Sequence, residues 1–557
     1  MSGGLISLVC FGNENVVING NPSATWFQKA FVRYTHFSQE PIRFALDGPT
    51  TLNMDSPILL RVTVPRNGDL LKDLVLRFDL PDIYSKAYME LSGAEYVLTQ
   101  QTQQFQWIRQ IGVRIIDRVT ITIGGSKIQE FTGDWIAARA LLDMTQSEYQ
   151  KWRVMVGDVP ELFDPANGIY RDPTAIFEGA AYPNVVRWTT QTTQANAPSI
   201  PGRTVRVPFG FWFSDFIANA LPLVALQYHT VDIQVQLRPI RDLYTIRDPS
   251  GVRVRYGYRS LPYLPTDQYT GVWNPALLGP LPDTLNNLYG SYTDPTGSMR
   301  NFLTDFGTTP PTSDGWPMNA QLEGTFLFLT EAERKIVATQ KLSYMVRQVQ
   351  LFEFPGVVGR DRYELDVHNI ATRAVWFARR SDALQYRNDY VNLTNWIFTN
   401  QRPYALPLAG YPQIAMANGG PIGRAGIRVG GTQRRILRGS TFVANGTNLF
   451  NEQDSDYFTQ YVPFKYLRGD TMPYENFGLA TQNEMWPLHV YSFALNGSDP
   501  EQPSGTLNTS RINLLEFDFD VEPIPVGALY TYTVSMFMET YNFVEIASGL
   551  AGLKFAI

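Results

Sequence analysis

From His229 to Leu237 the side chains alternate without a break. His229, Val231, Ile233, Val235 and Leu237 fall on one side, and Thr230, Asp232, Gln234 and Gln236 on the other. A period of two sustained over about ten residues defines a half-buried β-strand and excludes a helix, whose apolar stripe recurs every ~3.6 residues. Pro239 has no N–H for a ladder and stops the run. With the apolar patch Leu221–Pro222–Leu223 ahead of it, the stretch 219–239 reads as the closing strand of one β-domain.

Similar runs fill the rest of the chain. Residues 56–65 and 71–81 are β-rich and end on proline, 117–125 alternates and turns on Gly124–Gly125, and 202–214 resumes strand character. One helix is expected over 133–152, with Trp135, Ala138, Leu142 and Tyr149 on one face. Nine of the 37 prolines then fall between 258 and 322, as expected of a linker or a long packed loop. Strands restart at 324–330. Thr330 and Glu333 form a capping-box signature for a short helix, and strand runs follow at 343–354, 362–368, 372–380, 512–521 and 528–546. No residue-level repeat links the halves. Many short strands and few helices in two large blocks predict a mainly β chain of two antiparallel sandwiches, with jelly rolls the best candidate.

Composition narrows the function. Of 557 residues only 18 % are charged while 13 % are aromatic, a balance that suits interface cores as well as strands. A net charge of −6 argues against a protein that coats nucleic acid directly. The single cysteine, Cys10, allows no intrachain disulfide, and the first residues lack the basic start and long apolar run of a secretory signal. A soluble protein made in a cytosol is expected.

Nothing in the sequence assembles an active site. His36, His229, His368 and His489 are too few and too scattered for a metal centre, and His229 reads as a packed strand residue. Glu516, Asp518 and Asp520 share one strand face and imitate paired catalytic carboxylates, but a solvated acidic face is the plainer reading. "NEQDSDY" (451–457) lacks calcium-loop spacing, and "IGGSK" (123–127) lacks phosphate-loop spacing and reads as a hairpin turn. The basic segment 419–439, with Arg424, Arg428, Arg434, Arg435 and Arg438, could grip an acidic partner, although a solvated glycine-rich loop rising to a strand is the plainer reading. The sequons at Asn392, Asn445, Asn496 and Asn508 read as chance matches. No catalytic residue, metal ligand or cofactor site is expected.

Six stretches in order resemble one family, the major capsid proteins of nucleocytoplasmic large DNA viruses. They are "GNPSATWFQKAFVRYTHFS" (20–38), "IGGSKIQEFTGDWI" (123–136), "NALPLVALQYHTVDIQVQLRP" (219–239), "FLTEAERKIVATQ" (328–340), "VYSFALNGSDPEQPSGTLNTSRIN" (490–513) and "YNFVEIASGLAGLKF" (541–555). Two features depart from the family pattern: "HNIATRAVW" (368–376) lacks the usual proline, and the 258–322 excursion is long. The resemblance implies two consecutive eight-stranded jelly rolls. Its domain plan is an N-terminal arm (1–25), a first roll (26–240), a long excursion (241–322) and a second roll (323–557). It further implies a homotrimeric, pseudo-hexameric capsomer that tiles an icosahedral shell, made and assembled in the host cytoplasm. Neighbouring capsomers and minor capsid or penton proteins would be its partners, with the arm on the inner side against minor proteins or an internal membrane. The alternatives are a membrane-associated assembly scaffold of the same fold or, in another class, a two-domain β-sandwich that binds or cleaves glycans.

Overall fold

The computed structural model describes residues 3–29, 31–92, 95–100, 104–163, 185–188, 198–247, 253–260, 266–267, 272–273, 289–291, 297–305, 309–395, 435–469, 488–524 and 530–555. Eight strands build the first sandwich: β1 (Phe37–Ala45), β2 (Ile58–Thr63), β3 (Leu70–Leu80), β4 (Ile116–Ile123), β5 (Ser126–Thr132), β6 (Arg203–Pro208), β7 (Val231–Leu237) and β8 (Gln321–Leu329). One sheet runs β1-β8-β3-β6 and the other β2-β7-β4-β5, every pair antiparallel. The alternation read from the sequence is realised in β7, whose odd-numbered residues are buried and even-numbered ones half-exposed.

The second sandwich repeats this plan with each strand number raised by eight. Its strands are β9 (Leu342–Val357), β10 (Asp361–Glu364), β11 (Ile370–Arg380), β12 (Leu437–Ala444), β13 (Thr447–Asn448), β14 (His489–Ser492), β15 (Leu515–Val521) and β16 (Tyr532–Ala547). They order as β9-β16-β11-β14 and β10-β15-β12-β13, again antiparallel. Both sandwiches are jelly rolls. Even a turn is shared. β4 meets β5 through Gly124–Gly125 (φ 57° and 84°), and β12 meets β13 through Asn445–Gly446 (φ 50° and 79°), both with the positive φ that two-residue hairpins require.

One boundary differs from expectation. The strand at 321–329 does not open the second roll. It lies between β1 and β3 in the centre of the first, pairing Glu323 with Arg43 and with Val75. Proline and alternation mark where 231–237 is a strand and where it stops, but they do not reveal that a later strand returns to the same sheet. The stretch 238–320 therefore connects two strands of the first roll; of its described part, Met299, Phe302, Trp316 and Met318 are buried in that roll's core. The helix expected over 133–152 is two, α3 (Gly133–Asp143) and α4 (Gln146–Met155), because Thr145 begins a new capping box with Glu148. The capping box expected at Thr330 does not form on α5 (Glu331–Thr339); Glu333 instead accepts from the Thr35 hydroxyl at 3.0 Å.

Antiparallel register gives each roll two unlike ends. Arg203 faces Leu80 and Leu237 faces Ile116, so the connections 81–115, 133–202 and 238–320 leave the first roll at one end. Tyr532 faces Arg380 and Leu437 faces Val521, which places 381–436, 449–488 and 522–531 together on the second. We call the end from which these long connections depart the crown. Shorter turns, the chain entering β1 and the 547–550 hairpin form the base.

Candidate assembly site

The most built feature of the molecule is the seam between its rolls. The helix α3 starts directly off β5: the Thr132 hydroxyl accepts from the Trp135 N–H, and Gly133 fits because a Cβ there would lie 2.2 Å from the Val113 carbonyl oxygen. Its seam-facing side lies on the outer face of β9-β16-β11. Trp135 meets Phe537 with ring centroids 5.3 Å apart, and Phe377 adds to the same apolar patch. Burial of such a ring contributes on the order of 2–3 kcal/mol.

Around that patch runs a closed ring of three guanidiniums and three carboxylates. Arg373 grips Asp143 through two hydrogen bonds of 2.6 and 2.8 Å and also pairs with Glu539. Glu539 lies 3.3 Å from Arg347, which holds Asp215 at 2.9 Å. Asp215 pairs with Arg139, and Arg139 returns to Asp143 at 3.6 Å. Asp143, Asp215 and Arg139 come from the first roll and the other three from the second. Burial alone would raise the Asp143 carboxyl, but Arg373 more than offsets it and holds the pKa at about 2. The same two opposing effects, burial against Asp143 and Glu539, leave Arg373 above its ordinary value. A second junction sits at the crown, where Arg379 donates to both oxygens of Asp134 at 3.1 and 2.8 Å. Burial and the nearby Arg238 push Arg379 down to about 10.

Side-chain amides replace a β-ladder where β5 passes β9. Gln129 Nε2 donates to the Arg347 carbonyl at 2.7 Å, and Gln348 Nε2 donates to the Ile128 carbonyl at 2.8 Å. Asn542 in turn donates to Gln348 Oε1 at 3.1 Å. Satisfied buried polar networks of this kind fix geometry more than they add stability. The base is tied as well: the Ala551 N–H donates to His229 Nδ1 at 3.1 Å and the Tyr228 N–H to the Gly549 carbonyl at 3.1 Å. A groove of about 350 Å³ remains along the seam, between Lys127, Glu130, Gln350 and Leu351.

At the base the chain before β1 stands away from the rolls. It carries α1 (Gly3–Val9) and α2 (Asn13–Asn19), neither with a buried residue, and Trp26 and Phe27 are fully exposed at 101 % and 98 %. Helices of seven residues are far below the length that is stable alone in water. Leu8, Val17, Ile18 and Phe31 are also bare, so the arm is an apolar surface in need of a partner.

The residues singled out in the sequence lie elsewhere and do not converge. His36 and His368 are exposed; His229 is half-buried at the base rather than in a core; His489 stacks on Trp376 with its Nε2 2.5 Å from the Ser455 hydroxyl. Among the described residues no group of three or more His, Cys, Asp or Glu could hold a metal ion. The acidic face of β15 is not simply solvated: Asp518 is buried and held by Arg360 and Arg362 at 3.0 and 2.7 Å. Burial would raise its carboxyl; the Arg362 and Arg360 hydrogen bonds outweigh that and lower it. Residues 123–127 are the hairpin between β4 and β5, and 451–457 pairs Gln453 and Asp454 with β12 before a helix starting at Ser455. Arg435 pairs with Asp456 and Arg438 with Glu522, while Arg424, Arg428 and Arg434 lie outside the described residues. Asn392 is buried, whereas Asn445 and Asn496 are exposed. Cys10 is exposed on the arm. No helix among the described residues is long and apolar enough to cross a membrane. Sequence reasoning missed Arg347, Arg373, Arg379 and Asp143; the available signal was "TRAVWFARR", a strand run carrying three arginines among apolar residues.

Two like jelly rolls fused side by side, with their crowns at one end, define the class of double jelly-roll proteins. The double jelly-roll likeness extends to solved structures: PBCV-1 VP54 aligns with a TM-score of 0.57 at 19 % identity over 96 % of this chain and 100 % of that one, and the Faustovirus major capsid protein with 0.57 at 14 % over 94 % and 93 %. In sequence, a model of the major capsid protein N-terminus matches residues 25–257, and one of the large eukaryotic DNA virus major capsid protein matches 333–552. The major capsid proteins of Chrysochromulina ericina virus and Paramecium bursaria Chlorella virus 1 are 25 % and 23 % identical, each over 100 % of both chains. The chain belongs to the major capsid protein family of large eukaryotic DNA viruses.

Proposed function

We propose that this major capsid protein works as a homotrimer whose six jelly rolls give a near-hexagonal capsomer, and that such capsomers tile an icosahedral shell in the virion. The observation that carries this reading is the eight-strand repeat with both crowns on one side. Two rolls of one topology, held at a fixed angle by the seam, supply a third of a six-lobed ring, and a cyclic trimer closes it while weaker contacts extend the lattice. On this reading the crown faces outward and the base inward. The function is mechanical, with no chemical step, and the net charge of −6 suits a shell that does not grip the genome directly. Assembly is proposed to take place in the host cytoplasm.

The division of the chain follows the same reading: an arm before β1, a first roll running through β8 with its 238–320 excursion at the crown, and a second roll from β9 onward. The exposed apolar arm would meet minor capsid or penton proteins, or a membrane, beneath the shell. Electron microscopy of the purified protein tests the proposal. Six-lobed particles that lie down in hexagonal sheets at high concentration are expected, and isolated two-lobed particles under every condition would overturn it. Removing residues 1–25 is expected to leave the six-lobed particle intact while abolishing inner-side attachments during assembly in infected cells.

A further inference from the structure

The charged ring of the seam has a counterpart on the first roll. In the second roll Arg347 on β9, Glu539 on β16 and Arg373 on β11 form an arginine–glutamate–arginine row across the outer sheet face. In the first, Arg43 on β1, Glu323 on β8 and Arg77 on β3 form the same row on the strands numbered eight lower, with Arg43 2.8 Å and Arg77 3.9 Å from Glu323. Arg206 on β6 extends it at 3.0 Å. The two rows differ in what covers them. The side chains of Arg347, Glu539 and Arg373 are 6 %, 2 % and 0 % exposed beneath the acids of the first roll. Those of Arg43 and Arg206 are 58 % and 40 % exposed. The strand β1 at that edge packs Ile42 and Phe44 on the core and leaves its outer face open.

From this repetition we infer that the β1-β8-β3-β6 face is the docking surface for the second roll of a second copy, contacted by its acidic 452–456 segment. The inference rests on the trimeric reading above and names the surfaces that close the ring. In the intrachain seam Trp135, Arg139 and Asp143 come from the helix just after β5. The matching region after β13 carries Glu452, Asp454 and Asp456 within five residues, and it runs straight into the helical stretch 455–466, as β5 runs into α3. Charge agrees. Within the ion-paired row Glu323 and Asp79 answer Arg43, Arg77 and Arg206, leaving one positive charge over, and further along β3 Asp73 is balanced by Lys72. On the segment Arg360 and Arg435 answer Glu452 and Asp456, leaving Asp454 negative. The contact is heterologous, sheet face of one copy to strand edge of the next, which is the type that closes into a ring.

Charge reversal tests this with the full chain, by light scattering across a dilution series. The double variants R43E/R206E and E452K/D454K are each expected to raise the concentration of half-dissociation at least tenfold, while R43Q/R206Q and E452Q/D454N, which remove the charges without setting like charges against Glu323 or Arg360, weaken association less and keep the separated chain folded by circular dichroism. Carrying all four reversals in one chain restores complementarity and is expected to bring the midpoint back toward that of the parent. Doubles that dissociate like the parent, or a fourfold variant no better than the doubles, would overturn the inference while leaving the trimer standing. A parent chain that never exceeds the monomer mass would instead remove the trimeric reading itself.

Discussion

At the scale of the residue, burial decides what a charge does. Arg347 and Arg43 occupy matching places on matching strands, yet one is enclosed and the other faces water. Arg373→Ala strands Asp143 and Glu539 in the seam, so a loss of about 3–5 kcal/mol in unfolding free energy is expected by denaturant titration. Arg43→Ala in the separated chain should cost under about 1 kcal/mol, the ordinary worth of an exposed pair. Asp143 adds a pH signature. Its folded pKa of about 2 lies below the ordinary 3.8, so its stabilisation is complete above about pH 4 and is lost as pH falls toward 2. That share is on the order of 2 kcal/mol, and unfolding curves of Asp143→Asn should be flatter across this acid window than those of the parent. None of this was legible from residue types alone. A strand arginine reads as solvated until the sheet it faces is known.

At the scale of the element, alternation and punctuation carried most of the information. The period of two placed β7 and the strands from β9 to β16 that it touched to within a few residues, and Gly124–Gly125 marked the β4–β5 turn. The helix start at Gly133–Asp134–Trp135 was visible, but not that the helix breaks at Thr145 or that it serves as a wedge. The break follows from the Thr145–Glu148 capping box, a local signal, whereas the wedge depends on the Phe537 face, roughly four hundred residues further along the chain. Trp135→Ala should cost about 3–5 kcal/mol through the cavity it opens, measured by thermal or denaturant unfolding. The arm behaves oppositely. Because α1 and α2 bury nothing, deleting residues 1–25 should change unfolding free energy by less than about 0.5 kcal/mol. A large loss would mean that the arm packs on the rolls.

At the scale of the molecule, the fold was legible as two β-blocks and, through six motifs in order, as a double jelly roll. The boundary was not, because β8 returns to the first roll after the 238–320 excursion, and strand patterns do not say which sheet a strand joins. The repeat itself is invisible in sequence because only topology is duplicated: strand order, the two-residue turn, and an arginine–glutamate–arginine row. One duplicate of that row closes the chain upon itself, and the other is left open. A chain that has used half of a repeated interface internally is suited to close a ring with copies of itself. The mass of the purified full-length protein in solution, by light scattering after size exclusion, tests this most directly. The account predicts a particle of about 189 kDa, three chains of 63.0 kDa, whereas a species that stays at 63.0 kDa across concentration and salt would contradict it.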